Sequence, residues 1–98
     1  MNTLYDTIGV VGAGAMGRGI AQIAAQAGSR VRVFDTQPDA ASRAMQDIGK
    51  QWDRLAEKGR MEATAVDGCK ARLVAATSLD QLADCRLVIE AVVERLDV

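Results

Sequence analysis

Three glycines near the start of the chain have the spacing of a phosphate-binding turn. Gly12, Gly14 and Gly17 form the pattern G-x-G-x-x-G. Gly12 permits a tight turn, Gly14 lets the backbone approach a pyrophosphate, and Gly17 allows a helix to lie close to a sheet. The amides of Ala15 and Met16 would then begin a helix and donate hydrogen bonds to the anion. The spacing therefore predicts a dinucleotide pyrophosphate site.

An acidic residue follows at the distance expected of a ribose-binding group. Asp35 lies eighteen residues after Gly17, where a carboxylate accepts hydrogen bonds from the adenosine ribose hydroxyls. The same charge repels a 2′-phosphate, so the sequence favours NAD over NADP. Arg30 and Arg32 precede Asp35 rather than follow it, and neither is expected to bind a 2′-phosphate. Arg18 is expected on the solvent face of the first helix.

The elements that must position these residues alternate short β-branched runs with longer Ala-rich helical patterns, which is typical of βαβ units. Strands are predicted at residues 8–11, 31–34, 73–76 and 87–91, and helices at residues 16–27, 38–58, 62–70 and 78–83. Right-handed crossovers then give the strand order 3-2-1-4. The predicted fold class is α/β, a Rossmann-like doubly wound parallel sheet that is incomplete, because a full sheet of this kind has about six strands.

Local signals predict where the helices begin and end. Gly28 and Gly59 are expected to end the first two helices in the position after the C-cap. Pro38 suits the first turn of the second helix, since its missing N–H would have no partner there. Ser78 and Gln81 resemble a capping box that opens a short helix. The side chains of three large apolar residues are expected to pack in the core: Met16, Met45 and Trp52. Only the backbone amide of Met16 is expected to contact the cofactor.

Composition excludes several classes of function. The 98 residues include 12 Lys and Arg against 13 Asp and Glu, a net charge of -1, so neither nucleic acid nor a membrane is an expected partner. The chain has no histidine, and so no imidazole base and no histidine-bound metal is expected within it. Cys69 and Cys85 form no metal-binding pattern and are expected as reduced thiols of a cytoplasmic protein.

Two stretches of the sequence resemble the 3-hydroxyacyl-CoA dehydrogenase family. Residues 8–22 read IGVVGAGAMGRGIAQ, similar to the family's opening, and residues 87–94 read LVIEAVVE, similar to its fourth-strand segment. The resemblance extends over essentially the whole chain, including the long second helix. It implies that residues 1–98 are the N-terminal part of an NAD-binding Rossmann domain. The remaining strands and a C-terminal substrate and dimerisation domain would then lie outside them.

The resemblance also implies an activity for the parent protein. Enzymes of this family oxidise the 3-hydroxyl of an acyl-CoA to a ketone in fatty acid metabolism, with hydride transfer to NAD. The resemblance also implies that the parent protein is a homo-oligomer. A histidine takes the hydroxyl proton, and Glu94 corresponds to the glutamate that orients this histidine beside the cofactor. Ala91 corresponds to a position that lines the cofactor. Arg95 departs from the family's usual Asn, and Glu90 is interpreted as a structural strand-end residue. Without histidine, the 98 residues alone are expected to be inactive.

Three alternatives remain open at this point. A β-hydroxyacid or 6-phosphogluconate type dehydrogenase shares the glycine pattern, but it usually carries Asn-Arg-Thr in place of Asp35, Thr36 and Gln37. A non-catalytic dinucleotide-binding module is the second alternative, and the absence of histidine is compatible with it. An FAD site is weaker, since it usually requires Glu at the position of Asp35.

Overall fold

The order of strands and helices follows the alternation of the sequence. A computed structural model describes residues 6–91. In chain order its elements are β1 Thr7–Val11, α1 Ala15–Gln26, β2 Arg30–Phe34, α2 Ala40–Glu57, α3 Ala63–Arg72, β3 Leu73–Ala75, a 3₁₀ helix Leu79–Leu82 and β4 Leu87–Glu90. None of the helices in this part of the chain is long and apolar enough to cross a membrane.

All four strands of the described sheet are parallel, in the order β3-β2-β1-β4. Val10 of β1 is in register with Val33 of β2 and Ile89 of β4, and Val31 of β2 is in register with Leu73 of β3. The predicted order 3-2-1-4 and the incomplete doubly wound α/β class are therefore confirmed.

The two faces of β1 are covered by different elements. Ile8 and Val10 belong to the core that the three α-helices share with the sheet. Gly9 alternates with them and so faces the opposite side. A Cβ added to Gly9 would lie 2.9 Å from the side chain of Leu82 and 3.3 Å from the sulfur of Cys85. The 3₁₀ helix and the turn after it therefore cover the second face at this point.

Helix α1 packs through its smallest residues. Gly17, Ala21 and Ala25 are its buried positions. Met16 is 59% exposed and Ile23 is 71% exposed, so the prediction that Met16 serves packing is wrong. The physical reason is proximity, because a helix that starts directly beside the end of β1 leaves no room for long side chains beneath it.

Helix α2 begins two residues later than predicted. Asp39 has a φ of 65° and interrupts the helical conformation between Pro38 and Ala40. Pro38 therefore lies in the preceding turn rather than in the first helical turn. Gly59, with a φ of 70°, follows the end of the helix as predicted. Trp52 is fully buried, as expected, whereas Met45 is 39% exposed and the prediction for it is wrong.

The predicted capping box differs in detail from the structure. Ser78 precedes a four-residue 3₁₀ helix, and its side chain makes no capping hydrogen bond. Oε1 of Gln81 instead accepts the Thr77 N–H at 2.8 Å, and Nε2 of Gln81 donates to the Thr77 hydroxyl at 3.1 Å. The glutamine thus closes the turn one residue earlier than an α-helical box would.

Candidate dinucleotide-binding site

The glycine loop, residues 12–14, lies at the switch point of the sheet. The chain leaves β1 at Val11 and enters α1 at Ala15, with β2 on one side of β1 and β4 on the other. The Gly12 N–H donates to the Phe34 carbonyl at 2.8 Å, and the Ala91 N–H donates to the Val11 carbonyl at 2.7 Å. Ligands of open α/β sheets bind in the crevice at the carboxyl ends of the strands, where this loop lies.

Gly12 and Ala91 lie in direct contact. Gly12 has a φ of 108°, which disfavours any residue with a side chain. A Cβ at this position would also lie 2.5 Å from the Ala91 carbonyl oxygen. Ala91 is 4% exposed. The residue assigned to the cofactor on family resemblance therefore supports the glycine loop from the β4 side.

The other two glycines of the motif have opposite surroundings. A Cβ at Gly17 would lie 1.8 Å from the Gly12 carbonyl oxygen, so the helix and the loop touch there. A Cβ at Gly14 would meet no protein atom within 4 Å. The open side of Gly14 is a space that a side chain would fill, and it fits the close approach of a dinucleotide pyrophosphate.

The start of α1 is available to an anion. Gly14 is its N-cap residue, and the Arg18 N–H donates to the Gly14 carbonyl at 2.9 Å in the first helical hydrogen bond. The preceding amides, including those of Ala15 and Met16, have no acceptor within the helix. The first turn contains no acidic side chain, so the positive end of the helix dipole is not neutralised locally.

Asp35 joins the end of β2 to the glycine loop. Its Oδ2 accepts the Ala13 N–H at 2.7 Å, and its Oδ1 accepts the Gln37 N–H at 2.8 Å. An open cavity of about 350 Å³ adjoins it between the ends of β2 and β3, with Phe34, Ala75 and other residues in its walls. The bond to Ala13 is a contact that sequence reasoning missed, because it joins residues that are 22 positions apart.

Two of the three arginines considered for phosphate binding form ion pairs with other elements. Arg18 forms an ion pair with Asp47 of α2 at 2.7 Å, and its side chain is 39% exposed. Arg32 donates to the Gln81 carbonyl at 2.7 Å and forms an ion pair with Asp84. Arg30 is the first residue of β2, in register with Thr7, and so lies at the opposite end of this strand from Asp35. The interpretation that neither Arg30 nor Arg32 serves a 2′-phosphate agrees with this geometry.

The Arg32 ion pair changes the ionisation of its neighbours. Its hydrogen bond with Asp84 raises the pKa of the Arg32 guanidinium and lowers the pKa of the Asp84 carboxyl. Burial raises the pKa of the Cys85 thiol, and the nearby Arg32 charge opposes this effect. Cys85 is therefore a thiol rather than a thiolate at neutral pH.

The remaining candidate residues lie at or beyond the end of β4. Glu90 is the last residue of β4 and its side chain is exposed. Glu94 and Arg95 lie outside the described residues. Within residues 6–91, no group of three or more His, Cys, Asp or Glu side chains is placed to hold a metal ion.

Comparison with known proteins identifies the family. Residues 7–98 match the model of the 3-hydroxyacyl-CoA dehydrogenase NAD-binding domain. A probable 3-hydroxybutyryl-CoA dehydrogenase of Bacillus subtilis is 42% identical over 87 residues, which are 89% of this chain and 30% of that protein. The 3-hydroxybutyryl-CoA dehydrogenase of Bradyrhizobium diazoefficiens is 41% identical over 98 residues, which are 100% of this chain and 33% of that protein.

Solved structures agree with these relatives. The 3-hydroxybutyryl-CoA dehydrogenase of Escherichia coli superposes with a TM-score of 0.88 at 35% identity, over 97% of this chain and 20% of that one. This chain spans about a third of the length of the first curated relatives. The match over residues 7–98 disfavours the β-hydroxyacid and FAD alternatives. The chain belongs to the 3-hydroxyacyl-CoA dehydrogenase family and carries its NAD-binding domain, in an incomplete Rossmann-like sheet.

Proposed function

We propose that this chain binds the adenosine diphosphate half of NAD for an NAD-dependent 3-hydroxyacyl-CoA dehydrogenase. The observation that carries the proposal is the open side of Gly14, which faces no protein atom within 4 Å at the start of a helix without acidic residues in its first turn. A pyrophosphate in this space meets backbone amides and the positive end of the helix dipole.

Each residue of the proposed site has a separate task. The amides of Ala15 and Met16 donate to the pyrophosphate. Asp35 accepts hydrogen bonds from the ribose hydroxyls, and this is compatible with its two existing bonds because each carboxylate oxygen has two lone pairs. Gly17 keeps α1 against the loop, and Gly12 permits the turn. The cavity beside Asp35 has the position and the partly apolar walls that an adenine base requires.

We extend the proposal from this chain to the substrate of the whole protein. The relatives are named as dehydrogenases of 3-hydroxybutyryl-CoA and 3-hydroxyadipyl-CoA, so we propose an acyl-CoA with a 3-hydroxyl group as the substrate class. Bound NAD supplies the hydride acceptor. The chain contains no histidine to take the hydroxyl proton. We propose that Glu94 contacts the cofactor and orients a histidine outside these residues. Homo-oligomeric assembly and a cytoplasmic location remain predictions.

Calorimetric titrations of the chain with NAD, with NADP and with ADP-ribose test the cofactor site. We expect NAD to bind more tightly, because the Asp35 carboxylate repels a 2′-phosphate, while the guanidinium groups of Arg18 and Arg32 are already paired with carboxylates of other elements. Tighter binding of NADP would overturn the assignment of Asp35. Absence of binding to both NAD and ADP-ribose would overturn the site itself.

An activity assay tests the role of the missing histidine. The chain alone, incubated with acetoacetyl-CoA and NADH, should give no turnover, since no imidazole is present to transfer the proton. Measurable turnover would show that another group in these 98 residues acts as the acid and base.

A further inference from the structure

Asp35 contacts the glycine loop as well as the region assigned to ribose. Its Oδ2 lies 2.7 Å from the Ala13 nitrogen, within the range of charge-assisted hydrogen bonds. Ala13 is only 9% exposed, so water offers its amide little competing hydrogen bonding. We propose that Asp35 is a positioning residue, which holds the glycine loop in the shape that receives a pyrophosphate before any cofactor binds. This inference rests on the proposed function.

The first two amides of the loop are both directed towards the end of β2. The Gly12 N–H donates to the Phe34 carbonyl at 2.8 Å, and the Ala13 N–H donates to Asp35 at 2.7 Å. Neither amide is then available to a pyrophosphate. This arrangement leaves the anion to the following amides, at the start of α1. Asp35 thus selects which backbone groups of the loop face the ligand.

The loop needs such a contact because its own backbone is permissive. Ala13 is flanked by Gly12 and Gly14, the residue type with the largest conformational freedom. The hydrogen bond from Gly12 to Phe34 fixes the peptide group that precedes Gly12. It does not fix the next peptide group, between Gly12 and Ala13, which could still rotate. The carboxylate of Asp35 fixes that peptide, and its second oxygen is in turn held by the Gln37 N–H at 2.8 Å.

Asparagine cannot reproduce this arrangement. Its side chain offers one accepting oxygen, while its nitrogen only donates, so it can accept from Ala13 or from Gln37 but not from both in the same way. Asp35→Asn therefore loses at least one of the two bonds. It also removes a negative charge close to an anion site, which by itself would strengthen the binding of a phosphate.

These opposing effects separate two roles of Asp35. Inorganic pyrophosphate has no ribose, so a carboxylate that only binds ribose would contribute nothing favourable to its affinity. If Asp35 positions the loop, Asp35→Asn should weaken pyrophosphate binding by about fivefold, the equivalent of one net hydrogen bond, despite the lost negative charge. NAD binding should weaken further, because the ribose contact is damaged as well.

Asp67→Asn is the matched control. Asp67 is an exposed residue of α3, and it belongs neither to the glycine loop nor to the walls of the cavity beside Asp35. The substitution makes the same chemical change and removes the same charge, but it leaves the loop and the ends of the strands untouched. We expect this variant to bind pyrophosphate and NAD as the unmodified chain does.

Nuclear magnetic resonance of the unmodified chain tests the contact without any ligand or variant. A scalar coupling across the hydrogen bond between the Ala13 nitrogen and the Asp35 carboxyl carbon, with slow exchange of the Ala13 amide, is the expected result. Absence of the coupling together with fast exchange would overturn the proposal, even if Asp35→Asn failed to fold. Pyrophosphate binding at or above the unmodified affinity, by an Asp35→Asn variant in which the Ala13 amide exchanges fast, would also overturn it. Failure of the unmodified chain to bind NAD and pyrophosphate would refute the proposed function, while the coupling would still decide whether Asp35 holds the loop.

Discussion

The Gly12 carbonyl oxygen lies so close to the Cα of Gly17 that a Cβ there would be 1.8 Å from it. The close approach is internal to the protein and needs no ligand. Gly14, between these two glycines, faces open space instead. A single glycine motif therefore contains positions required for the fold and a position required for binding.

Gly17→Ala should destabilise the fold. The added Cβ forces α1 away from the loop, and overpacking of this kind typically costs about 1–3 kcal/mol or more, which exceeds the gain of about 1 kcal/mol in helix propensity. Urea denaturation measures the difference in the free energy of unfolding. Gly19→Ala, two residues later on the exposed side of α1, is the control, and it should leave stability equal or higher. Equal stability of Gly17→Ala and Gly19→Ala would contradict the contact.

Gly14→Val should remove NAD binding without loss of fold. Gly14 has φ −74° and ψ −171°, extended backbone that valine adopts readily, and its Cβ would meet no protein atom within 4 Å. The side chain would occupy the space assigned to the pyrophosphate. Circular dichroism should show unchanged helix content, while calorimetry should detect no NAD binding. Retention of affinity would refute the assignment of the loop, provided that Gly19→Ala binds normally.

The indole of Trp52 connects α2 to α1. Trp52 is fully buried, and its Nε1–H donates to the Gln26 side-chain oxygen at 3.0 Å. Gln26→Ala removes the acceptor and should lower the free energy of unfolding by about 1–3 kcal/mol, the typical effect of an unsatisfied buried donor. The emission of this single tryptophan reports the transition. Gln51→Ala, on an exposed position of α2, should change stability little; an equal loss there would show that the Gln26 bond is unimportant.

The ion pair between Arg32 and Asp84 should make stability depend on pH in acid. Its hydrogen bond lowers the pKa of Asp84 below the ordinary value of 3.8. Because the folded pKa is the lower one, the stabilisation is present above pH 3.8 and is lost as the pH falls through the folded value. Asp84→Asn should therefore be less stable than the unmodified chain at neutral pH. The difference between their free energies of unfolding should shrink below pH 3.8.

A double-mutant cycle isolates the pair. In an Arg32→Met background, Asp84→Asn should have little effect on the free energy of unfolding at any pH. An undiminished effect in that background would assign the pH dependence to another partner of Asp84. The effect should also weaken at high salt, since Asp84 is 73% exposed.

Interactions between distant residues could not be read from the chain. The ion pairs of Arg18 with Asp47 and of Arg32 with Asp84 join residues 29 and 52 positions apart. Charged residues at such separations have many potential partners, and only the packing of the elements chooses among them. The same holds for α1, where the sequence placed Gly17 against the sheet, but apolar spacing did not reveal that Ala21 and Ala25, rather than Met16, are buried beside it.

Local rules of chain geometry were enough to predict the strand order and the ends of α1 and α2 just before Gly28 and Gly59, and to propose the glycines and the aspartate of the candidate site. They were enough because hydrophobic periodicity, crossover handedness and backbone freedom act over short stretches of chain. The tertiary structure alone decided that Asp35 accepts the Ala13 amide, that Asp39 delays the start of α2, and that Ala91 supports Gly12. Each of these depends on how closely separate elements pack or on how a connection turns between them, and distances of this kind do not exist until the sheet has formed.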